Sequence, residues 1–195
     1  MRKAIFVVSL LCIALTPAFS EDDILEIRTY YQNVNILKAL LSSQEIDRLK
    51  DTKNDLSIKQ RLKKAGISSD KRMRAIQTIV SYLLAHKKKD VNQDDDTFGI
   101  SLGRLRSSFE MPTKIDSSRD GKKVRVDLYS DAHGRSTDDP RSTIIKRFEN
   151  EEMSRADILK AIDFKEKGIM GSYEDTWIKE NDRWYIVVSS MLLLK

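Results

Sequence analysis

Residues 176–188 of this 195-residue chain, TWIKENDRWYIVV, contain the clearest structural signal in the sequence. Asn181 and Asp182 form a two-residue turn signal between two runs of strand-forming side chains, a pattern that is typical of a β-hairpin. The turn sets the strand register and predicts two opposed pairs, Glu180 with Arg183 and Trp177 with Ile186. Trp184 then lies diagonal to Trp177 on the same face, within reach of a large aromatic ring.

Both faces of this hairpin carry apolar side chains. One face is expected to anchor the sheet against a helix and contains Trp177, Trp184, Ile186 and Val188. The opposite face contains Ile178, Tyr185 and Val187. A strand that is apolar on both faces favours a central position, covered on both sides. Clustered tryptophans can also bind sugars or peptides, but the favoured interpretation is core packing.

The Trp177–Trp184 hairpin resembles the closing strands of cone-shaped nuclear-transport-factor-2-like domains. The resemblance implies an alternative fold, a cone-shaped nuclear-transport-factor-2-like or cystatin-like α+β domain. The order of elements elsewhere departs from that family, because a short helix from Ser154 to Ile162 is expected to interrupt the strand series. The acidic pocket pair of the enzymatic members matches no position here, so the resemblance implies no site residue.

The hairpin belongs to a longer region, residues 97–195, which holds six glycines and two prolines and whose apolar residues alternate with polar ones. This pattern predicts an antiparallel sheet. A first hairpin turns at Asp120-Gly121; its strands carry Phe109, Met111, Thr113 and Ile115, then Val124, Val126 and Leu128. Pro112 suits an edge strand, since proline donates no ladder hydrogen bond. After a polar loop from Asp131 to Pro140, Ile144 and Phe148 predict another strand, and Ser154 caps the short helix.

Residues 22–89 contain one glycine and no proline, and their apolar residues recur at helical spacing. They predict about three amphipathic helices. The first runs from about residue 22 to 41. The second covers residues 44–64, with a break near residues 52–54, a new cap at Asp55 and a closing Gly66. Ser69 caps the third, which ends near His86. The predicted fold is therefore α+β, a helical region followed by an antiparallel sheet with one short helix.

The first twenty residues have the layout of a cleaved secretory signal. Arg2 and Lys3 precede an uncharged run of twelve residues, 4–15, and small residues follow at Ala18 and Ser20. The expected domain plan is a signal peptide (1–20), a helical region (21–89), an acidic linker (90–96) and a β-rich region (97–195). Cleavage removes Cys12, the single cysteine, and lowers the formal charge from +5 to +3. The expected location is the periplasm or cell envelope of a bacterium, with secretion as the alternative.

Charges of both signs alternate along the chain, which is typical of a solvated surface rather than a nucleic-acid interface. Residues 62–68 do resemble the turn of a helix-turn-helix motif. Arg72, however, stands where the second helix of that motif buries an apolar residue, and an exported protein meets no chromosomal target. The basic groups at residues 61–64 and 87–89 are interpreted as solvated helix ends. Nucleic acid is therefore not an expected partner.

Residues 99–103 match the Gly-x-Ser-x-Gly nucleophile elbow, with Ser101 as the nucleophile and His133 as a base later in the chain. The motif requires alternating strands and helices before it, whereas a helical region and an acidic linker precede it here. A hydrolase that uses Ser101 and His133 stays an alternative rather than the main hypothesis.

Residues 90–96, DVNQDDD, resemble the start of a calcium loop, with oxygen ligands at positions one, three and five. Position six holds Asp95 instead of glycine, and position twelve holds Ser101 instead of a bidentate glutamate. The segment is interpreted as a solvated acidic linker. A calcium-responsive adaptor that uses this segment is a second alternative.

The two histidines do not form a metal site. His86 ends a lysine-rich helix, where a cation interacts favourably with the helix dipole. His133 lies in a loop with Asp131, Asp138 and Asp139, and zinc requires more imidazole or thiolate ligands than this loop offers. The sequence thus assigns no catalytic, cofactor-binding or metal residue. It predicts an exported, non-enzymatic envelope protein that binds another envelope protein or self-associates through an amphipathic helix, with no membrane span after cleavage.

Overall fold

The computed structural model describes residues 19–52, 55–88, 96–106, 109–131, 140–162 and 169–192. The described residues form an α+β fold of helices and an antiparallel sheet, as predicted. The helices are α1 (Glu21–Ala39), α2 (Ser43–Lys50), α3 (Ile58–Lys64), α4 (Asp70–Ala85), α5 (Leu102–Arg106), α6 (Pro140–Glu149) and α7 (Arg155–Ala161). The strands are β1 (Asp96–Thr97), β2 (Ile100–Ser101), β3 (Glu110–Ser117), β4 (Lys123–Asp131), β5 (Ile169–Glu180) and β6 (Arg183–Leu192).

Helix α1 is the centre of the molecule. Ser20 begins it with a capping box, in which the Ser20 hydroxyl accepts from the Asp23 N–H and the Asp23 carboxylate accepts from the Ser20 N–H. Its first half has an exposed side, but residues 33–39 are buried all round. The helix contacts α4, α6, α7, β3 and β6. The predicted amphipathic stripe therefore describes only the first half, because the second half is enclosed by other elements.

Helices α2, α3 and α4 follow α1 in the predicted order, and α4 packs against α1. The break between α2 and α3 lies near the predicted position, but the cap of α3 is Ser57 rather than Asp55. Ser57 has the better geometry, since its hydroxyl accepts from the Gln60 N–H while the Gln60 side chain accepts from the Ser57 N–H. Gly66 follows α3 with a positive φ, and Ser69 caps α4, both as predicted.

The main sheet is an antiparallel meander in the order β3-β4-β5-β6. Val124, Val126 and Leu128 of β4 are buried on one face, as predicted. The predicted alternation of β3 is wrong at Met111, which is 41% exposed, whereas Glu110 is fully buried. The register shift between Pro112 and Lys114 explains the difference, because it puts the residues before and after it out of phase. Pro112 pairs with the buried Leu128 and Ile115 with the buried Val126, so Met111 and Ile115 cannot share a face. The edge position of β3 is confirmed.

The β5–β6 hairpin turns at Asn181 and Asp182, which both have positive φ, and its predicted pairs are confirmed. Trp177 and Trp184 are fully buried in the core. The expected central position is wrong for β6, which has one neighbour in the sheet. On the opposite face Ile178, Tyr185 and Val187 are half-buried, while the side chain of Val188 lies outside those described.

The strand predicted at Ile144 and Phe148 is wrong, because both residues lie in helix α6. A separation of four places two side chains on one helical face, and both are buried there. Helix α7 is confirmed, with Ser154 as its cap. The loop predicted between Asp131 and Pro140 falls on residues 132–139, which lie outside the described residues.

One hydrophobic core connects the helices to the sheet. It contains side chains from α1 and α4, from β4, and from the β5–β6 hairpin. The helices therefore pack on the sheet rather than project from it. In the part of the chain that the structure describes, none of the helices combines the length and the apolar character needed to cross a membrane.

Candidate functional site

Four charged side chains meet between α1 and the sheet and form the buried charge cluster, which consists of Lys38, Arg104, Glu110 and Asp175. The Lys38 Nζ lies 2.7 Å from Glu110 Oε1. Arg104 donates to both Glu110 oxygens at 2.7–3.0 Å and to both Asp175 oxygens at 2.6 and 3.2 Å. Each member is at least nine-tenths buried. The formal charges of two cations and two anions cancel, which makes burial of the cluster tolerable.

Two aromatic side chains extend this cluster into the core. The Tyr31 hydroxyl donates to Asp175 Oδ2 at 2.7 Å, and the Trp177 Nε1–H donates to the same hydroxyl at 3.0 Å. Burial, together with the Asp175 charge, raises the pKa of Tyr31 well above its ordinary value. The phenol therefore stays protonated and fixes α1 to β5.

The charge states of the cluster follow from burial and from the neighbouring charges. Burial alone would raise the pKa of Glu110, but the Arg104 and Lys38 cations outweigh burial and lower it to about 2. Burial lowers the pKa of Lys38 to about 8, against the opposing effect of Glu110. Burial would also lower the pKa of Arg104, but Asp175 and Glu110 raise it well above its ordinary value. Near neutral pH we therefore expect Glu110 and Arg104 to be fully charged.

Asn35 of α1 closes the outer edge of strand β3. Its Nδ2 donates to the Glu110 carbonyl at 2.6 Å, and its Oδ1 accepts from the Glu110 N–H at 2.8 Å. The side-chain amide thus occupies both backbone groups of Glu110, as a neighbouring strand would. Pro112 has no N–H to donate. This part of the edge is consequently protected against pairing with another strand.

A cavity of about 430 Å³ lies next to the cluster, and we call it the α1–β3–α7 groove. Its lining residues are Arg28, Tyr31, Gln32, Asn35, Glu110, Met111, Pro112 and Leu159. The buried carboxylate, amide and phenol at its floor all have protein partners, so they form a fixed wall. Arg28, Gln32 and Met111 are exposed at its rim. The groove therefore offers apolar contacts and one cation to an incoming group.

One exposed apolar side chain lines this groove and a second lies near it. Among the described residues, the exposed large hydrophobic side chains are Leu25 at 62%, Leu84 at 42% and Met111 at 41%. Met111 lines the groove, and Leu25 lies one turn before Arg28 on the same side of α1. Exposed apolar surface beside a concave groove is typical of a binding site.

A second polar cluster joins the start of α1 to the β5–β6 hairpin. The Asp23 carboxylate accepts from Lys179 Nζ and from Trp184 Nε1–H, both at 2.8 Å. Burial alone would raise the pKa of Asp23, but these hydrogen bonds and those from Ser20 hold it well below its ordinary value. The ring of Phe19 lies edge-on to Trp184, with centroids 5.8 Å apart. These contacts fasten the N-terminal end of α1.

Ser101 ends β2 immediately before α5, and its hydroxyl accepts from the Arg104 N–H at 3.2 Å. Its proposed base, His133, lies outside the described residues, so the hydrolase stays an untested prediction. The backbone explains why position 99 of the motif is glycine. The φ of Gly99 is +83°, and an added Cβ would lie 3.3 Å from the backbone of α4 at Leu83 and Leu84.

The calcium prediction lies mostly outside the described residues, since Asp96 begins β1 and residues 90–95 precede it. His86 caps the end of α4 and is buried, with Nδ1 2.8 Å from the Tyr82 carbonyl and Nε2 3.1 Å from Glu26 Oε1. Across the described ranges, no group of three or more histidine, cysteine, aspartate or glutamate residues is placed to hold a metal ion.

The helix-turn-helix resemblance has an internal explanation. Arg72 is buried, and its guanidinium donates to both Glu45 oxygens at 2.7 and 3.2 Å. The Arg72 side chain of α4 therefore contacts α2 rather than a ligand. The ion pair accounts for a charged residue at the position where that motif buries an apolar one.

Sequence patterns did not identify the charge cluster. Lys38 sits within the apolar run of residues 36–41, and its helical position alone gave no reason to bury it. Glu110 precedes Met111, which the expected alternation placed inward. The one available signal was the isolated charge of Lys38 in that run, and its partner is 72 residues away.

Comparison of the chain with protein-family models, with curated proteins and with solved structures finds no match.

Proposed function

We propose that this protein is an exported, non-enzymatic component of the bacterial cell envelope that binds a partner protein in the α1–β3–α7 groove. The observation that carries the proposal is the exposed pair Leu25 and Met111 beside a preformed cavity of about 430 Å³. The export signal predicted at residues 1–20 supplies the envelope location.

The fixed wall of the groove favours the interpretation that the cavity is a binding site over the interpretation that it is a packing defect. Glu110 is held by Lys38 and Arg104 through its side chain and by Asn35 through its backbone. A wall fixed in this way loses little conformational freedom when a ligand docks. Self-association through α1 has less support, because the second half of α1 is enclosed by other elements.

Site-specific photo-crosslinking in the producing bacterium tests the proposal. A photoreactive phenylalanine derivative replaces Met111 in one variant and Leu84 in the other, since Leu84 is equally exposed but lies outside the groove. We expect one discrete adduct with an envelope protein at position 111 and none at position 84. Equal adduct patterns at both positions, or adducts with cytoplasmic proteins alone, would contradict the proposal.

A further inference from the structure

The rim of the α1–β3–α7 groove carries a cation that the described residues leave without an ion-pair partner. Arg28 is exposed, and none of the salt bridges between described residues involves it. On helix α1 the positions three and four residues away from it are Ile24, Leu25, Tyr31 and Gln32. None of these side chains is a carboxylate, so the helix itself offers no partner for this charge.

Two cations on the neighbouring elements α7 and β3 have partners within the fold. Arg155 of α7 donates to Asn33 of α1. Lys114 of β3 pairs with Asp116 at 2.7 Å. Among the residues that line the groove, Arg28 is the cation that pairs with no described carboxylate. A carboxylate on the partner would complement it.

Strand addition cannot explain binding at this part of β3. Asn35 already occupies both backbone groups of Glu110, and Pro112 lacks an N–H. A partner must therefore use its side chains in the groove. Apolar contact is available from Met111, Pro112 and Leu159.

We propose that the groove binds a protein segment in which an apolar side chain stands next to an acidic one. The apolar side chain enters the cavity between α1, β3 and α7, and the carboxylate pairs with Arg28. A protein segment fits better than a small free anion, because Leu25 at 62% exposure extends the apolar surface beyond the cavity along α1. This inference rests on the proposed function and specifies the chemistry of its partner.

Selection from a displayed random heptapeptide library tests this inference, with the purified exported protein as the target. We expect enriched peptides to combine aspartate or glutamate with a neighbouring leucine, isoleucine or phenylalanine. A synthetic copy of the most enriched peptide is then titrated by fluorescence anisotropy. Arg28→Glu should weaken its binding about tenfold or more, and Arg28→Gln should weaken it less.

Lys59→Glu is the matched control, since Lys59 is an exposed cation on α3, away from the groove lining. It should leave affinity unchanged. A second selection on the Arg28→Glu protein should enrich basic peptides instead. Enrichment of peptides without acids, or equal affinity for Arg28→Glu and the unchanged protein, overturns the inference.

One further variant, Met111→Asp, separates this inference from the proposed function. If Met111→Asp abolishes binding of peptides that lack acids, the groove is a binding site but the acidic partner is wrong. If Met111→Asp leaves the binding of every selected peptide unchanged, the groove is not the site and the proposed function fails with it. A last measurement tests dodecanoate as a competitor of the peptide. If micromolar dodecanoate displaces the peptide and binds more tightly than any peptide, the groove binds a small anion and the inference is overturned.

Discussion

Glu110 is the residue on which the interior electrostatics depend. It accepts from Lys38 and Arg104, and its backbone is bound by Asn35. Glu110→Gln keeps the shape but leaves two buried cations against the single remaining anion of Asp175. Breaking a buried pair from one side costs about 3–5 kcal/mol, so we expect a loss of this size in urea unfolding at pH 7.

Asp116→Asn is the control for this substitution, because Asp116 lies on the same strand with a solvent-accessible carboxylate. A surface pair contributes about 0–1 kcal/mol, and the control should stay within that range. A Glu110→Gln protein as stable as the unchanged chain would show that the cluster is not an essential support of the fold.

Ser20 and Phe19 stabilise the first turn of α1. The Ser20 hydroxyl caps the helix, and the Phe19 ring contacts Trp184. Ser20→Ala should cost about 1 kcal/mol, a typical value for the loss of an N-cap. Ser43→Ala is the control, since Ser43 lies within the first turn of α2, where Ser42 is the cap.

The same contacts bear on signal cleavage after Ser20, which stays a prediction. A chain that begins at Glu21 lacks both the cap and the aromatic contact, so it should unfold at a lower temperature than a chain that begins at Phe19. We expect a difference of about 1–2 kcal/mol from the cap and the ring together. Thermal melts of the two purified chains measure it, and identical melting curves would contradict it.

At the scale of elements, the β5–β6 turn offers a stabilising substitution. Asn181 and Asp182 have φ of 50° and 58°, the left-handed values that a two-residue hairpin turn requires. Asp182→Gly should raise stability by about 0.5 kcal/mol, because glycine adopts this conformation without a Cβ clash. Asp182→Ala, which removes the carboxylate but keeps a Cβ, should lower it. Urea midpoints decide between these outcomes, and a gain for alanine would refute the steric argument.

Local patterns predicted elements where the signal is short-range. The Asn181-Asp182 turn, the Ser154 cap and the buried face of β4 all depend on residues within a few positions, and all are confirmed. The strand predicted at Ile144 and Phe148 was wrong because a separation of four residues fits a helical face as well as a strand face. The Met111 error arose at an irregularity that pairing with β4 creates, which no local pattern contains.

At the scale of the molecule, the class of fold was predictable and the candidate site was not. The change from helical spacing to alternation near residue 90 predicted helices followed by a sheet. The charge cluster joins residues from α1, α5, β3 and β5, and its contacts span 6 to 72 positions in sequence. Such contacts depend on how α1 packs on the sheet. Arg28 likewise becomes distinctive only when Met111 and Leu159 are placed beside it.

The stability of the whole molecule should depend on pH through this cluster. The pKa of Glu110 is about 2 in the folded chain and 4.5 ordinarily. Because the pKa of Glu110 is lower in the folded chain, the ionised Glu110 stabilises the fold. This stabilisation is fully present above pH 4.5 and is lost as the pH falls toward 2. The pKa of Lys38 is about 8 in the folded chain and 10.5 ordinarily. Between pH 8 and pH 10.5 the unfolded chain therefore binds more protons at Lys38 than the folded chain does, so the free energy of unfolding should rise with pH.

Lys38→Met isolates the alkaline part of this dependence. It removes the group that loses its proton near pH 8 while Arg104 still pairs with Glu110. We expect the free energy of unfolding of the unchanged protein, from urea titrations, to increase between pH 7.5 and about 9.5 relative to that of Lys38→Met. Over this range the folded chain loses the Lys38 proton while the unfolded chain keeps it. Parallel curves for the two proteins would mean that Lys38 keeps its ordinary pKa and is not desolvated in the fold.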